Sequence, residues 1–406
     1  MIDVLTGERH DRRAIETADG TMTQVAAAPP AGLPDALPTS FPGGPIPPHP
    51  PGDEEVVDVA GRWLLPGLIS CHTHLSIVFP FSATDEAENP AITAYRSATR
   101  ASEALRAGIT TIRCVHEQNR ADLLLRTAVR RGWFAAPRIL GAGRAVSTPG
   151  GHGQGGACAY AIGEDEFYQA ALAELAAGAD HVKIFINGGL AGPDEHYSRP
   201  EMTDGEIRGA VRAAAEHDTY VVAHSGEPTA VRQALAQGVR CFEHAYRLDD
   251  ETAALLARPG VFLTPTLCVT RSESWMRDRG FEEHSIRNAG LAADVHLASV
   301  QRAIRAGVTL VNGTDIPPGD LVDGTPAAVH ELLLMAAAGL SPLLSLQSVS
   351  VNAAALLGIG DRVGQIRPGF AADFVAVDGD PLDDLAALRT ISLVVQGGRV
   401  IREDAR

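Results

Sequence analysis

Two histidines one residue apart, His72 and His74, stand at the end of an apolar run that begins at Trp63. In a β-strand, residues i and i+2 point to the same face, so both imidazoles would lie side by side where the strand ends. Neutral imidazole is a ligand for zinc and other first-row divalent metals. The pair alone is weak support, because the chain contains 14 histidines among its 406 residues. A metal site is predicted only if further ligands occupy matching positions.

Four further polar side chains lie at or near the ends of later apolar runs. They are Lys183 in the run 181–186, His224 at the end of 220–224, His244 at the end of 239–244 and Asp315 at the end of 308–315. Four imidazoles can be divided between two divalent ions. A lysine ammonium cannot bind a cation, but a buried amine beside metals should lose its proton and react with CO2. The resulting carbamate on Lys183 would bridge both ions; the alternative is a lysine held in an ordinary ion pair.

Asp315 offers a carboxylate that can ligate one ion and also accept a proton. Metal binding lowers the pKa of a bound water toward neutrality and polarises a carbonyl group. The nucleophile would be a metal-bridging hydroxide, with Asp315 as the general base that later passes the proton to the leaving nitrogen. This chemistry predicts hydrolysis of an amide-type C–N bond in a small molecule.

The elements that must position these side chains are eight apolar runs that alternate with helical stretches rich in Ala, Glu, Leu and Arg. The runs are the one before residue 72 and those at 108–115, 138–143, 181–186, 220–224, 239–244, 261–267 and 308–315. Alternation of this kind predicts parallel strands, and eight units close into an α/β fold, the (β/α)8 TIM barrel. Active sites of such barrels lie at the C-terminal ends of the strands. We therefore assign residues 61–358 to a barrel domain in which the six side chains meet.

The two ends of the chain differ from this pattern. Short strand-like pieces with glycine turns follow residue 359, and residues 1–28 suggest short strands around a turn at 18–20. Together they predict a small composite β-sandwich domain formed by residues 1–60 and 359–406. Between Pro29 and Pro51 there are ten prolines, which leave few backbone donors for a helix or a central strand. We expect the segment 29–52 to be an irregular loop.

These motifs resemble the amidohydrolase superfamily, in particular its imidazolonepropionase-like and prolidase-like branch. The resemblance runs from about residue 56 to residue 400 and is carried by Leu65-Pro66-Gly67, His72-Thr73-His74, Gly108 to Arg113, Gly150 to Gly153, Lys183, Glu243-His244, Gly313-Thr314-Asp315, Asn352 to Gly358, Gly364 to Asp373 and Gly379 to Leu382. It implies a barrel with a small β domain, a metal centre and hydrolysis of a C–N bond. It also implies the six metal ligands His72, His74, carboxylated Lys183, His224, His244 and Asp315.

The chain departs from these relatives at three positions. Relatives usually carry Asp where this chain has Ser70 and Cys114, and many dipeptidase relatives carry Tyr where it has Gly226. The first two are not ligand positions, so we expect altered contacts around an intact metal centre. Gly226 makes a plain dipeptidase less favoured, and a hydrolase of C–N bonds other than peptide bonds is the preferred class.

Several other residues are candidates for the site. Similar proteins place a histidine such as His152, in the glycine-rich loop after the third strand, near the substrate carbonyl or carboxylate; the alternative is a loop histidine bound to backbone. Glu227, in His224-Ser225-Gly226-Glu227, resembles the proton-shuttling glutamate of mononuclear deaminases and cyclic amidohydrolases; the alternative is an acidic residue favoured by the start of a helix. His116, Arg144 and Tyr246 are candidate substrate contacts, and an ion pair within the fold is the alternative for Arg144.

Composition restricts the partners. A net charge of −16 argues against nucleic acid or an anionic membrane as a partner, because both demand a basic surface. The sequence contains no apolar run of 18 residues, so no transmembrane helix is predicted. Five scattered cysteines without a CxxC pair favour free thiols and a cytoplasmic location.

We expect a homo-oligomer that acts on a small molecule with two divalent ions, Zn2+ first and Fe, Co, Mn or Ni as alternatives. A mononuclear enzyme that uses Glu227 and a metal-binding protein without catalysis remain alternatives.

Overall fold

The structure, a computed structural model, describes residues 1–27, 56–59, 61–193 and 195–404. The expected loop at 29–52 lies outside the described residues. The strands are β1 (Arg13–Ala18), β2 (Thr21–Ala27), β3 (Trp63–Pro66), β4 (Leu68–Thr73), β5 (Ile109–Cys114), β6 (Arg138–Gly141), β7 (Val146–Ser147), β8 (Ala159–Tyr160), β9 (Val182–Phe185), β10 (Val221–Ser225), β11 (Cys241–His244), β12 (Phe262–Thr264), β13 (Thr309–Leu310), β14 (Leu321–Val322), β15 (Thr325–Pro326), β16 (Phe374–Val377), β17 (Ile391–Gln396) and β18 (Arg399–Glu403). The α-helices are α1 (Pro90–Arg106), α2 (Ala121–Arg130), α3 (Gly163–Ala176), α4 (Asp204–Glu216), α5 (Pro228–Ala236), α6 (Asp250–Leu256), α7 (Cys268–Arg271), α8 (Glu273–Asp278), α9 (Glu283–Ala306), α10 (Ala327–Ala337), α11 (Pro342–Ser348) and α12 (Val351–Leu356).

The eight predicted runs form the strands of a barrel. Strands β4, β5 and β6 pair in parallel, and so do β9, β10, β11, β12 and β13 in that order. Backbone hydrogen bonds join the two sets: Asp180 N–H donates to Gly141 O at 2.8 Å, and Cys71 N–H donates to Asn312 O at 2.7 Å. The expected α/β TIM barrel is therefore confirmed.

The barrel strands are buried on both faces because helices cover them from outside. Alanine-rich helices pack closely there, and Gly209 in α4 shows how closely: a Cβ at this position would lie 2.2 Å from Glu164 O in α3. Helix α4 starts at a capping box, in which Thr203 Oγ1 accepts from Glu206 N–H and the Glu206 carboxylate accepts from Thr203 N–H. Apolar side chains thus fill the layer between the strands and the outer helices.

A small β domain combines both ends of the chain. Strand β3 pairs with β16, which pairs with β17 and then β18, all antiparallel. The β1–β2 hairpin turns at Asp19 and Gly20, as expected, and its Met22 N–H donates to Phe370 O at 2.8 Å. Because β3 belongs to this sheet, the sheet reaches Pro66, beyond the predicted limit at residue 60; the domain division otherwise stays a prediction.

Two further sequence expectations concern the thiols and the membrane. All five cysteines are free and buried. Among the helices of the described residues, none has the length and apolarity that a membrane crossing requires.

Candidate metal centre

His72, His74 and Asp315 come together at the C-terminal end of the barrel. His72 lies in β4, His74 directly follows it, and Asp315 follows β13. Asp315 Oδ1 is 2.8 Å from His72 Nε2 and 3.0 Å from His74 Nε2. Burial alone would raise the pKa of Asp315, but its interactions with the His72 and His74 rings outweigh this effect and lower it well below its usual range, so the carboxylate is ionised. These three ligand atoms lie within 4.8 Å of one another, the arrangement of a metal site.

The hydrogen bonds of the two rings determine which nitrogen is free. His72 Nδ1 lies 2.5 Å from the Glu243 carboxylate, and His74 Nδ1 lies 2.8 Å from His116 O. An ionised carboxylate and a carbonyl only accept hydrogen bonds, so in a neutral ring Nδ1 carries the proton and Nε2 keeps its lone pair. Two nitrogen lone pairs then face the ionised Asp315 oxygen. A divalent cation satisfies all three atoms at once, so this donor set fits the metal that the sequence predicts.

The remaining predicted imidazole ligands adjoin this group. The His244 ring centroid is 5.1 Å from that of His72 and 4.5 Å from that of His224. His224 Nε2 donates to Gly188 O at 3.0 Å, and His244 Nδ1 donates to Thr266 Oγ1 at 2.6 Å. One nitrogen of each ring is again left free. Burial, reinforced by neighbouring imidazoles, lowers the pKa of both rings well below the usual value and keeps them neutral.

Backbone strain marks two of these positions. His244 has a φ of 62° and Asp315 a φ of 64°, in the left-handed region that non-glycine residues seldom adopt. Such conformations cost about 1–3 kcal/mol each and persist where the surrounding structure enforces them, most often at functional sites. Both residues lie at or after the C-terminal end of a strand, where the barrel architecture places its sites.

Lys183 lies in β9 with an exposed fraction of 1%. Within the described parts of the chain no carboxylate forms an ion pair with it, so the ordinary ion pair that was the alternative is not observed. Its Nζ lies 5.4 Å from the centroid of the Phe185 ring. Burial lowers the pKa of Lys183 to about 8, which makes the neutral amine accessible. Its ligand role stays a prediction.

His152 and Tyr246 line the group. The His152 ring centroid is 4.1 Å from that of His224, and its Nδ1 is hydrogen-bonded to Glu195. Burial lowers the pKa of His152, but the Glu195 charge outweighs this effect and raises it. Tyr246 stacks on His244 with an angle of 6° and a centroid distance of 5.1 Å. Both rings therefore adjoin the imidazole group, and their contact with a substrate stays a prediction.

The structure gives three other candidates a role within the fold. Glu227 caps helix α5, where its Oε1 accepts from Ala230 N–H at 2.9 Å. His116 uses both ring nitrogens on backbone: Nδ1 accepts from Ala145 N–H, and Nε2 donates to Gly156 O. Burial lowers the pKa of His116 to about 3, so it stays neutral.

Arg144 is the third of these candidates. It donates to Glu174 Oε1 through Nε at 2.9 Å and through Nη2 at 2.8 Å, and Arg120 binds the same carboxylate. The ion pair within the fold, which was the alternative for Arg144, is the one observed. The structure does not bring this side chain together with the imidazole group.

Sequence reasoning gave no role in the site to two acidic residues, although one of them, Glu243, belongs to a motif that carries the family resemblance. Glu243 holds His72 and Glu195 holds His152. Glu243 had a usable signal, because it stands in the apolar strand β11, where a buried charge is costly unless it is paired. Its partner is Arg113, which is fully buried and donates to Glu243 Oε1 at 2.8 Å. Glu195 offered no such signal, since it lies in a polar loop.

Comparisons with known proteins show which family the chain resembles. The sequence model of the amidohydrolase family matches residues 63–401. Ochratoxinase from Aspergillus niger is 26% identical over 395 residues, with 84% of this chain and 78% of the relative covered. Imidazolonepropionase from Solibacter usitatus (strain Ellin6076) is 28% identical over 362 residues, with 82% and 80% covered. A crystal structure of a prolidase complexed with N-methylphosphonate-L-proline superposes with a TM-score of 0.85 at 25% identity, covering 99% of this chain and 98% of that one.

Proposed function

The chain belongs to the amidohydrolase family, whose members hydrolyse C–N bonds, and we propose that it cleaves an amide-type bond of a small molecule with two divalent cations. The ligands would be His72, His74, Lys183 as a carbamate, His224, His244 and Asp315. The observation that carries the proposal is the convergence of two free imidazole nitrogens on the ionised Asp315 oxygen. A donor set rich in imidazole favours Zn2+, with Fe, Co, Mn or Ni as alternatives.

Each side chain near the cations has a separate task. When bound, the cations polarise the scissile carbonyl and activate water at neutral pH. Asp315 takes up the proton released during attack and returns it to the leaving nitrogen. His152, held by Glu195, donates a hydrogen bond to an oxygen of the substrate. Tyr246 fixes the plane of the His244 ring by stacking on it.

The wall beside His74 favours an apolar or aromatic group in the substrate. Phe81 lies edge-on to the His74 ring at a centroid distance of 6.2 Å and contacts a cluster that contains Phe79, Trp275 and Phe281. Ochratoxinase, imidazolonepropionase and prolidase are named for three different substrates. We therefore place N-acyl amino acids, dipeptide-like molecules and aryl amides or carbamates in the proposed substrate class, with bonds other than peptide bonds preferred.

The lysine carbamate has a direct test, because Lys183 is the only lysine in the chain. A chain that uses arginine everywhere else keeps lysine at the one place where an amine must lose its proton. Protein equilibrated with 13C-bicarbonate should give a single lysine carbamate resonance in its 13C NMR spectrum. The resonance should vanish in Lys183→Ala. A spectrum identical in both proteins would eliminate the carbamate.

Catalysis is tested with a matched pair of carboxylate-to-amide variants. Asp315→Asn should lower kcat at least about 100-fold on any amide of the panel that is turned over. Glu227→Gln should retain wild-type turnover, because the amide oxygen can still accept the cap hydrogen bond from Ala230. Full activity of Asp315→Asn would overturn the proposed mechanism.

The second candidate function is a mononuclear cyclic amidohydrolase or deaminase with Glu227 as proton shuttle. It requires the Glu227 carboxylate to be free for proton transfer, whereas this carboxylate caps α5. Loss of turnover in Glu227→Gln together with residual turnover in Lys183→Ala would favour it. Metal analysis of the purified chain provides a further test, with one ion expected for this candidate and two for the first.

A further inference from the structure

The four imidazoles of the proposed centre differ in what holds their second nitrogen. His74 and His224 donate to main-chain carbonyls, and His244 donates to a threonine hydroxyl. His72 alone among these four donates to a carboxylate, that of Glu243, at 2.5 Å. A carboxylate partner makes an imidazole a better electron donor than a neutral acceptor does. The four ligands are therefore unequal.

Glu243 is fixed from all sides. Its Oε1 accepts from Arg113 Nη2 at 2.8 Å, Cys241 Sγ at 3.0 Å and Thr264 Oγ1 at 3.2 Å, while Oε2 faces His72. The exposed fraction of Glu243 is 0%. These donors satisfy both carboxylate oxygens, so rotation of the side chain would break several buried hydrogen bonds.

Arg113 connects this carboxylate back to the strand that carries His72. Its Nε donates to the carbonyl of Cys71, the residue before His72, while its Nη2 holds Glu243. The guanidinium and the carboxylate also cancel each other's charge in the barrel interior. The pair therefore fixes both the ring of His72 and the backbone from which that ring projects.

We propose that Glu243, anchored by Arg113, is a positioning residue that makes the site formed by His72, His74 and Asp315 the tighter of the two cation sites. The inference rests on the proposed function, since it concerns cations bound by the same ligands. Glu243 orients His72 Nε2 toward Asp315 Oδ1, 2.8 Å away, and strengthens that nitrogen as a donor. The other cation site contains His224 and His244, whose rings donate to neutral acceptors, and it therefore binds its ion more weakly.

Zn2+ binding to the full chain, measured by competition with a chromophoric chelator, tests the inference without reference to activity. The wild-type chain should bind two equivalents with unequal affinities. Glu243→Gln should weaken the tighter site about 10- to 100-fold and leave the weaker one unchanged. Thr266→Val removes the neutral acceptor of His244 and is the matched control; it should leave the tighter site unchanged.

The proposed function and the positioning role of Glu243 are refuted by different outcomes of this experiment. A wild-type chain that binds neither Zn2+ nor the Fe, Co, Mn or Ni ions named as alternatives refutes the proposed function itself. Two equivalents with unchanged affinities in Glu243→Gln refute only the positioning role. A loss at the tighter site in Thr266→Val as large as that in Glu243→Gln also refutes the positioning role, because a neutral acceptor would then contribute as much as the carboxylate.

A second variant covers the case in which Glu243→Gln fails to fold because Arg113 is left unpaired. The double variant Arg113→Met with Glu243→Gln removes both charges together. It should fold and show the same weakening of the tighter site, whereas wild-type affinity in this variant would overturn the inference. Glu243→Asp keeps the charge with a shorter reach and should recover part of the affinity.

Discussion

Gly226 is a position where one methyl group should disturb both the fold and the centre. A Cβ built there would lie 1.8 Å from the backbone oxygen of Tyr197. Gly226 itself cannot retreat easily, because its N–H donates to Asn187 Oδ1 at 2.8 Å and its carbonyl accepts from Arg247 N–H at 2.9 Å. In Gly226→Ala the segment 195–200 must therefore move.

The size of the effect follows from this geometry. The two atoms must separate from 1.8 Å to at least 3.0 Å, the shortest contact that real Cβ atoms show. Overpacking of this kind costs about 1–3 kcal/mol of unfolding free energy. The moving segment carries Glu195, which holds His152, and Tyr197, whose ring is 5.6 Å from that of Tyr246. A displacement of about 1 Å in such positioning groups lowers kcat/KM by roughly 100-fold.

Urea unfolding and steady-state kinetics measure the two effects, and Gly290→Ala is the matched control. Gly290 lies inside helix α9, and apart from the adjoining backbone of that helix no heavy atom of the described residues lies within 4 Å of a built Cβ. The same substitution there should raise stability by about 0.5–1 kcal/mol, because alanine loses less backbone entropy in a helix. Opposite signs at the two positions are expected. If Gly226→Ala unfolds at the wild-type urea concentration and keeps wild-type kcat/KM, the steric reasoning is refuted.

Three further predictions concern stability and substrate binding. Burial raises the pKa of Glu331 to about 7, above its unfolded value, so its contribution to stability is complete below about pH 4 and is lost as the pH rises through 7. Between pH 4 and pH 8 the wild-type chain should therefore lose up to about 3 kcal/mol more unfolding free energy, measured in urea, than Glu331→Gln loses. Equal losses in the two proteins would contradict this prediction. Thr203→Ala breaks the capping box of α4 and should cost about 1 kcal/mol in thermal unfolding with unchanged kcat/KM. Arg144→Met should leave KM unchanged and cost about 1–3 kcal/mol, because the buried Glu174 carboxylate then keeps only Arg120 of its two arginine partners; a large rise in KM would restore the predicted role of Arg144 in substrate binding.

The barrel was predictable because its signal is local. Each of its eight strands is a short apolar run, and each is followed by a helical stretch, so alternation along the chain indicates parallel pairing. The sheet to which strand β3 belongs could not be predicted in this way. This strand precedes β4 after a single residue and looks like the same apolar run, yet it pairs with β16, more than 300 residues later. The local sequence pattern around β3 contains no signal for a pairing partner so far along the chain.

The candidate centre was predictable to the level of residue types and positions. The predicted ligands lie at the ends of strands or just after them, and parallel strands bring their C-terminal ends to one side: His72, His74, His224, His244 and Asp315. The roles of residues in the connecting loops were harder to predict. Glu227 occurs three residues after His224 in a suggestive motif, but its carboxylate binds the first turn of its own helix. Motif spacing does not reveal which hydrogen bond a side chain makes.

The sequence alone determined the alternation of strands and helices and the order of donor side chains, because both follow from the period of the backbone and from residue chemistry. Tertiary structure alone decided which nitrogen of each imidazole is free and which acidic residue supports it. His72 and its partner Glu243 are 171 residues apart, and only the register of the closed barrel makes them neighbours. Hydrogen bonds across a barrel depend on that register to within one residue, since a shift by one residue turns each side chain to the opposite face.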